Sequence, residues 1–221
     1  MFIGHYSAAF LAATHPKAPS LPVLVGAAQA VDILFFGLVI AGVEGMSIAP
    51  GFTVMNPMDL HTMPYTHSLA GSVLWAVLFG GVLYFKRHSL ATAAIGGGVL
   101  LSHWFLDLLV HGPDLTLAGQ PPKFGLGLWN YPAIEMPLEL ALTFGSLWFM
   151  ARRNGLLETR RVPLLVLGGV LLLLQLYNWF APPPARFGIE IPLSALVAYA
   201  LVIFLASRVD RRGQLRTRPA L

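Results

Sequence analysis

Apolar stretches of about 20 residues alternate along the chain with short polar segments. Six of them are predicted to form full-length helical spans, at about 21–43, 66–85, 90–111, 132–151, 162–181 and 190–207. A helix of roughly 20 apolar residues crosses the hydrocarbon core of a bilayer. A shorter apolar stretch, from Phe2 to Thr14, ends at His15-Pro16 because proline cannot continue a helix. The pattern predicts an all-α, polytopic membrane helix bundle with six full-length spans and a short N-terminal helix.

The composition supports this interpretation. Of the 221 residues, 56% are hydrophobic and only 11% are charged, and the mean hydropathy is +0.70. A soluble domain carries about 25% charged residues to cover its surface. We therefore predict one transmembrane helical domain over residues 1–207, followed by a basic tail over residues 208–221.

Basic residues lie at the edges of the apolar stretches, at Lys86-Arg87, Arg152-Arg153, Arg160-Arg161 and in the tail. This distribution is typical of cytoplasmic loops, so the net charge of +4 does not indicate a nucleic-acid partner. It predicts a cytoplasmic C-terminus and external loops at 44–65, 112–131 and 182–189. We expect a multi-pass protein of a bacterial-type inner membrane. Whether the short N-terminal helix crosses fully stays open.

Ionisable residues inside membrane helices are costly, and each one therefore suggests a function. The third predicted span carries His103, Asp107 and His111, which are four residues apart and share one helix face. An imidazole and a carboxylate one turn apart can chelate one metal ion or bridge two. The chain has no cysteine, so any metal ion must be bound by imidazole and carboxylate.

Other ionisable residues are predicted on the same, external side: His67 at the start of its span, and Glu135 and Glu139 in the external half of theirs. Asp32 lies near the middle of its span, and His5 joins the external half if the short N-terminal helix runs from outside to inside. We predict that the metal ligands are His5, Asp32, His67, His103 and Asp107. The ligand types favour zinc, with one or more ions. Glu139 or His111 is predicted to act as a general base or to orient a ligand.

Two alternatives stay open at this point. The same side chains could line the proton or ion pathway of a membrane transporter. Several residues could belong to the site or could simply be loop, interface or capping residues: Asp59, His61, Asp114 and Glu135. For His15 and His88, in predicted inside loops, we expect a structural role.

The order of these motifs resembles the LexA-regulated, membrane-bound metal-dependent hydrolase family. The likeness covers about the first 140 residues and rests on His5, Asp32, Thr66-His67-Ser68 and Ser102-His103 with Leu106-Asp107. The family typically has a Pro-Asp-x-Asp segment where this chain reads Gln29-Ala30-Val31-Asp32-Ile33, with a single acid. The ligand order is also similar, more distantly, to that of zinc-dependent phospholipase C.

The resemblance implies a membrane-embedded hydrolase with a lipid or lipid-linked substrate. A phosphoester at the level of the membrane would be the expected substrate class. Lys123 and Arg186 are the external cations that could meet its phosphate. The resemblance thus predicts a metal-dependent enzyme, and transport is its alternative.

Overall fold

The computed structural model describes residues 1–210, which form a helical bundle with two small hairpins. The helices are α1 (Tyr6–Ala12), α2 (Leu21–Ala28), α3 (Ala30–Ile40), α4 (Leu69–Arg87), α5 (Leu90–Val110), α6 (Pro132–Arg153), α7 (Leu156–Thr159), α8 (Arg161–Phe180) and α9 (Glu190–Val209). The strands are β1 (Gly45–Ile48), β2 (Met58–Thr62), β3 (Leu115–Thr116) and β4 (Lys123–Phe124). Residues 208 and 209 of the predicted tail belong to α9, and positions 211–221 lie outside the described residues.

Among the described residues, four helices are long and apolar enough to cross a membrane, namely α4, α5, α8 and α9. The pair α2 and α3 meets the same criterion only when taken together, and it is bent by 54°. Helix α6 covers the predicted span at 132–151 but is not among these helices. It carries two glutamates and ends in a pair of arginines. The polytopic helical character is therefore confirmed at the level of four or five spans, and six spans stay a prediction.

The bend between α2 and α3 lies at Gln29, whose φ and ψ of −108° and 7° are not helical. Its side chain donates from Nε2 to the carbonyl of Phe2 at 3.0 Å. The preceding carbonyl, of Ala28, contacts the imidazole of His103. The bend therefore connects the N-terminal segment with α5.

Helices α4 and α5 are joined by only two residues and so run antiparallel. Their backbones come close where small residues face each other, as is common between membrane helices. A Cβ added to Gly97 would lie 2.8 Å from the carbonyl oxygen of Ala76, and one added to Gly80 would lie 3.1 Å from that of Ala93. This close pairing places α5 inside the bundle.

The short helix α1 is an inner element of the fold. Tyr6 and Phe10 are fully buried in the main apolar core, together with Leu24 and Leu167 from other helices. Whether this short helix crosses the membrane stays open. Helix α1 packs against α2, α5 and α6.

The two hairpins meet at one end of the bundle. Strands β1 and β2 pair antiparallel between α3 and α4, and β3 and β4 do so between α5 and α6. A parallel bridge joins Ser68 to Thr116, and the amide of Met55 donates to the carbonyl of Trp129 at 3.1 Å. The loops 44–65 and 112–131, both predicted to be external, thus form one cap over the same helix ends.

Candidate metal centre

Helix α5 contributes an imidazole and a carboxylate from adjacent turns. His103 Nε2 lies 3.0 Å from Asp107 Oδ2, and both side chains are buried. His103 Nδ1 lies 2.8 Å from the carbonyl oxygen of Ala28. Because a carbonyl can only accept, Nδ1 carries the hydrogen, and the neutral form of the ring has its lone pair on Nε2. Nε2 is thus available for a metal ion.

His67 belongs to the turn that precedes α4. Ser68 caps this helix, since its Oγ accepts from the amide of Gly71 at 3.0 Å and donates to the carbonyl of Pro64 at 2.6 Å. Trp104 Nε1 donates to the carbonyl of His67 at 3.0 Å. The Thr-His-Ser motif therefore fixes its histidine through the cap and through a contact with α5.

A buried chain of hydrogen bonds also sets the tautomer of His67. Thr66 Oγ1 donates to Glu44 Oε2 at 2.6 Å, so it must accept from the ring Nδ1 of His67, 2.9 Å away. Glu44 Oε1 accepts from the amides of Tyr65 and Thr66 at 2.8 and 3.0 Å. The Nε2 of His67 is therefore free to bind a cation. Sequence analysis did not identify Glu44, although it is the acid that ends the first apolar stretch.

Asp32, on α3, faces the same two imidazoles. Its Oδ1 lies 3.3 Å from His67 Nε2 and 3.4 Å from His103 Nε2. Its other oxygen, Oδ2, accepts from the hydroxyl of Tyr199 at 3.0 Å. The carboxylate is thus oriented from α9, with one oxygen directed to the histidines.

His67, His103, Asp32 and Asp107 form a group that we call the quartet. The separations of its facing nitrogen and oxygen atoms are 3.0, 3.3, 3.4 and 3.6 Å. Ligand atoms in a tetrahedral zinc site, at 2.0–2.1 Å from the ion, lie about 3.3 Å from each other. Within the quartet, the ligand atoms of Asp32, His67 and His103 all lie within 4.8 Å of one another and could hold a metal ion, as could those of His5, His103 and Asp107.

Unpaired atoms support the same interpretation. His103 Nε2 and Asp107 Oδ2 are buried, and neither makes a hydrogen bond within the described part of the chain, although they are 3.0 Å apart. The two atoms are therefore close without pointing at each other. Ligand atoms directed at a common ion have this arrangement, and a cation would satisfy both.

The other oxygen of Asp107 has partners of its own. Asp107 Oδ1 lies 3.1 Å from His5 Nε2, 3.4 Å from His111 Nε2 and 2.9 Å from the nitrogen of Met1. The rings of His5 and His103 stack at 3.7 Å between centroids with an angle of 4° between planes. The structure thus brings four imidazoles, those of His5, His67, His103 and His111, around the carboxylate of Asp107.

His111 directly follows the last residue of α5 and lies under the cap. Its Nδ1 is 3.0 Å from Asp114 Oδ1, and its ring is 4.3 Å from that of Trp129. Burial by itself lowers the pKa of His111, but the negative charges of Asp107 and Asp114 outweigh it and raise that pKa to about 9. Asp114, which the sequence left open, is therefore part of the site's surroundings.

Glu139 contacts the segment that carries His5. Its Oε1 accepts from the amides of Phe2 and Gly4 at 2.7 and 2.9 Å, and its Oε2 accepts from Gln175 Nε2 at 2.8 Å. These contacts hold the backbone on both sides of Ile3, next to His5, and the orienting role of Glu139 stays a prediction. The role of general base stays a prediction for Glu139 and His111. Glu135, one turn before Glu139, is buried as well.

Several other candidate residues lie at the surface. Exposed side chains include His15, His61, His88, Lys123 and Arg186. His88 ends α4 in the left-handed conformation, with φ of 50°. A structural role for His88 stays a prediction.

Comparison with known proteins does not identify the chain, since no family model, curated protein or solved structure matches it. The resemblance to membrane-bound metal-dependent hydrolases stays a prediction.

Proposed function

We propose that this protein is a membrane-embedded, metal-dependent hydrolase of a lipid-linked or membrane-proximal phosphoester. The observation that supports a metal centre is the quartet, with its buried ligand atoms 3.0–3.6 Å apart. The reaction class comes from the motif resemblance, and the ligand set is compatible with it. A divalent ion bound there would supply Lewis-acid chemistry, by activating a water molecule and polarising the scissile bond.

Zinc fits this ligand set best. Two imidazoles and two carboxylates provide nitrogen and oxygen donors at tetrahedral spacing, and the chain contains no cysteine. Manganese or iron would accept the same donors. Hydrogen bonds hold the two quartet histidines with Nδ1 protonated, and this orientation of imidazole ligands is typical of metal sites.

Access to the site would be through Asp32. Its side chain is 17% exposed, whereas those of His67, His103 and Asp107 are at most 2% exposed. Tyr199 donates to Asp32 Oδ2 and holds this carboxylate at the opening. A phosphate head group would approach along the same side, between α3 and α9, and the surrounding buried residues would keep bulk water out.

The position of the quartet among apolar helices is the reason for proposing a lipid substrate. The quartet lies among helices that are long and apolar enough to span a bilayer, and α5 itself is one of them. A substrate whose reacting group reaches the quartet must itself enter the membrane, as a lipid does. Lys123 and Arg186 are exposed cations on the loops predicted to be external, where they would attract the phosphate.

The test is hydrolysis in liposomes. Detergent-purified protein is reconstituted and assayed with phosphatidic acid, phosphatidylglycerol and a polyprenyl phosphate, before and after chelation and after zinc is restored. We expect chelator-sensitive release of the head group or phosphate, lost in His67→Ala and Asp32→Asn and retained in the matched control His61→Ala. Metal-loaded protein that hydrolyses none of these phosphoesters would contradict the proposal, and chelator-sensitive ion flux in the same liposomes would favour the transporter alternative.

A further inference from the structure

We propose that the end of the bundle opposite the cap binds an anionic phospholipid, in a cleft between α8 and α9. The phosphate would lie between Arg160 and Arg208, and an acyl chain would lie along the apolar wall of the cleft. The metal centre lies under the cap, at the other end of the helices. Lipid binding in the cleft therefore does not depend on which reaction the protein catalyses.

The cleft combines a charged rim with an apolar wall. It has a volume of about 360 Å³. The residues that line it are Arg160, Val162, Pro163, Val166, Leu205 and Arg208. Arg160 directly precedes α8 and Arg208 lies in the last turn of α9, so the two cations come from different helices. A phospholipid has the same two parts, a charged head group and apolar chains.

The cleft lies at the level where a bilayer has its head groups. Helices α8 and α9 each have 20 residues and are apolar enough to cross a membrane, and the cleft is at the first turns of α8 and the last turn of α9. A helix of 20 residues is about 30 Å long, so its ends reach the surfaces of the hydrocarbon core. Exposed apolar side chains continue towards the middle of both helices, at Leu165, Leu172, Val197 and Leu201. A head group in the cleft would thus have its acyl chains beside apolar side chains.

The guanidinium of Arg208 is directed back along α9. Its Cζ lies 5.0 Å from the centre of the Phe204 ring, one turn nearer the middle of the helix. Long cationic side chains at the ends of membrane helices usually extend towards water. This guanidinium instead lies over an exposed aromatic ring beside the cleft. A phosphate in the cleft would be a good partner for it, because arginine can bind phosphate through two parallel hydrogen bonds.

The charge at this end of the bundle is complementary to an anionic lipid. Among the described residues, its basic side chains are those of Lys17, Lys86, Arg87, Arg152, Arg153, Arg160, Arg161 and Arg208. Its acidic side chains in the same part of the chain are those of Glu158 and Asp210. Asp210 is buried, and its Oδ2 accepts from the amide of Leu21 at 3.1 Å. Basic pockets between membrane helices typically bind the head groups of anionic lipids, so we take the bilayer itself as the source of the ligand.

Native mass spectrometry of lipid binding tests the proposal. Full-length protein in detergent is titrated with phosphatidylserine and with phosphatidylcholine of the same acyl chains. Because each basic residue near an anionic lipid contributes about fivefold in affinity, we expect the wild type to prefer phosphatidylserine by about 25-fold and Arg160→Gln/Arg208→Gln to lose this preference. Arg153→Gln removes an exposed cation outside the cleft and is the matched control, which should keep the preference. Equal affinities in the wild type, a preference kept in the double variant, or the same loss in the control would overturn the proposal.

A second measurement uses the wild type alone and does not depend on the variants being folded. Phosphatidylserine with a diazirine in its acyl chain is bound, cross-linked by light and located by mass spectrometry of the peptides. We expect cross-links within 162–166 and 205–208, and cross-links confined to other helices would overturn the proposal. Displacement of the lipid by an equal concentration of inorganic phosphate would show that the cleft binds a free anion, and would overturn the lipid as its ligand. Neither experiment measures hydrolysis, so a failure of the proposed function would leave lipid binding in the cleft unaffected.

Discussion

Helices α5 and α8 have nearly the same length and the same apolar character, yet they occupy different places in the protein. Half of the most apolar window of α5 is buried in the bundle, compared with 22% of that of α8. Helix α5 contributes His103 and Asp107 to the centre. Helix α8 contributes only Gln175, which binds Glu139 rather than the ligands. Hydropathy thus identifies membrane helices but not their position in the bundle, whereas a helix that carries ionisable residues on one face belongs in the interior.

Removal of the metal ligands of α5 should have the largest effect. We expect His103→Ala and Asp107→Asn to weaken metal binding by more than about 100-fold, because losing a direct ligand costs more than losing a residue that only orients one. On α8, Leu173→Ala changes a side chain that is 66% exposed and should leave metal binding unchanged. The measurement is competition with a calibrated zinc chelator. Full metal affinity in His103→Ala would show that α5 does not hold the ion.

A smaller effect is expected from the residues that set the tautomer of His67. Thr66→Val and Glu44→Gln disturb the hydrogen bonds behind the ring, and such changes typically weaken metal binding by about 10–100-fold. Asp59→Asn, in the same loop, is the control and should have no effect. The same chelator titration measures all three variants. Equal affinities throughout would contradict an orienting role for Glu44.

The smallest effect is expected from substitutions that change helix packing, at one glycine of α5 and one of α8. A Cβ on Gly97 of α5 would lie 2.8 Å from the backbone oxygen of Ala76, whereas the nearest atom to a Cβ on Gly168 of α8 is 3.6 Å away, at ordinary contact distance. Gly97→Ala should therefore destabilise the protein by about 1–3 kcal/mol. Gly168→Ala should be neutral or stabilising by up to about 1 kcal/mol, because alanine favours helix. Unfolding of both variants in detergent measures the difference, and equal stabilities would contradict the central position of α5.

Sequence spacing could predict the part of the site that lies on one helix. His103, Asp107 and His111 are four residues apart, and the structure places both imidazoles beside the carboxylate of Asp107. The helical and membrane-crossing character also followed from apolar stretches of the right length, although four or five spans are supported rather than six.

Contacts between distant segments could not be predicted in this way. Glu44 acts on Thr66 across 22 residues, and His103 contacts the carbonyl of Ala28 across 75 residues. Neither spacing follows a helical or strand period, so only the folded chain brings these groups together. The packing of α1 could not be predicted for a related reason. Its short apolar stretch is compatible with either lipid or protein surroundings, and the hydrogen bonds from Glu139 to Phe2 and Gly4 hold the segment before it inside the bundle.

The account depends on a cation being held by the imidazoles and carboxylates of the bundle. X-ray absorption at the edge of the metal retained by detergent-purified protein tests this most directly. We predict nitrogen and oxygen ligands at about 2.0–2.1 Å together with the outer-shell scattering of imidazole rings. Purified protein that retains no metal, or a metal surrounded by oxygen without imidazole scattering, would contradict it.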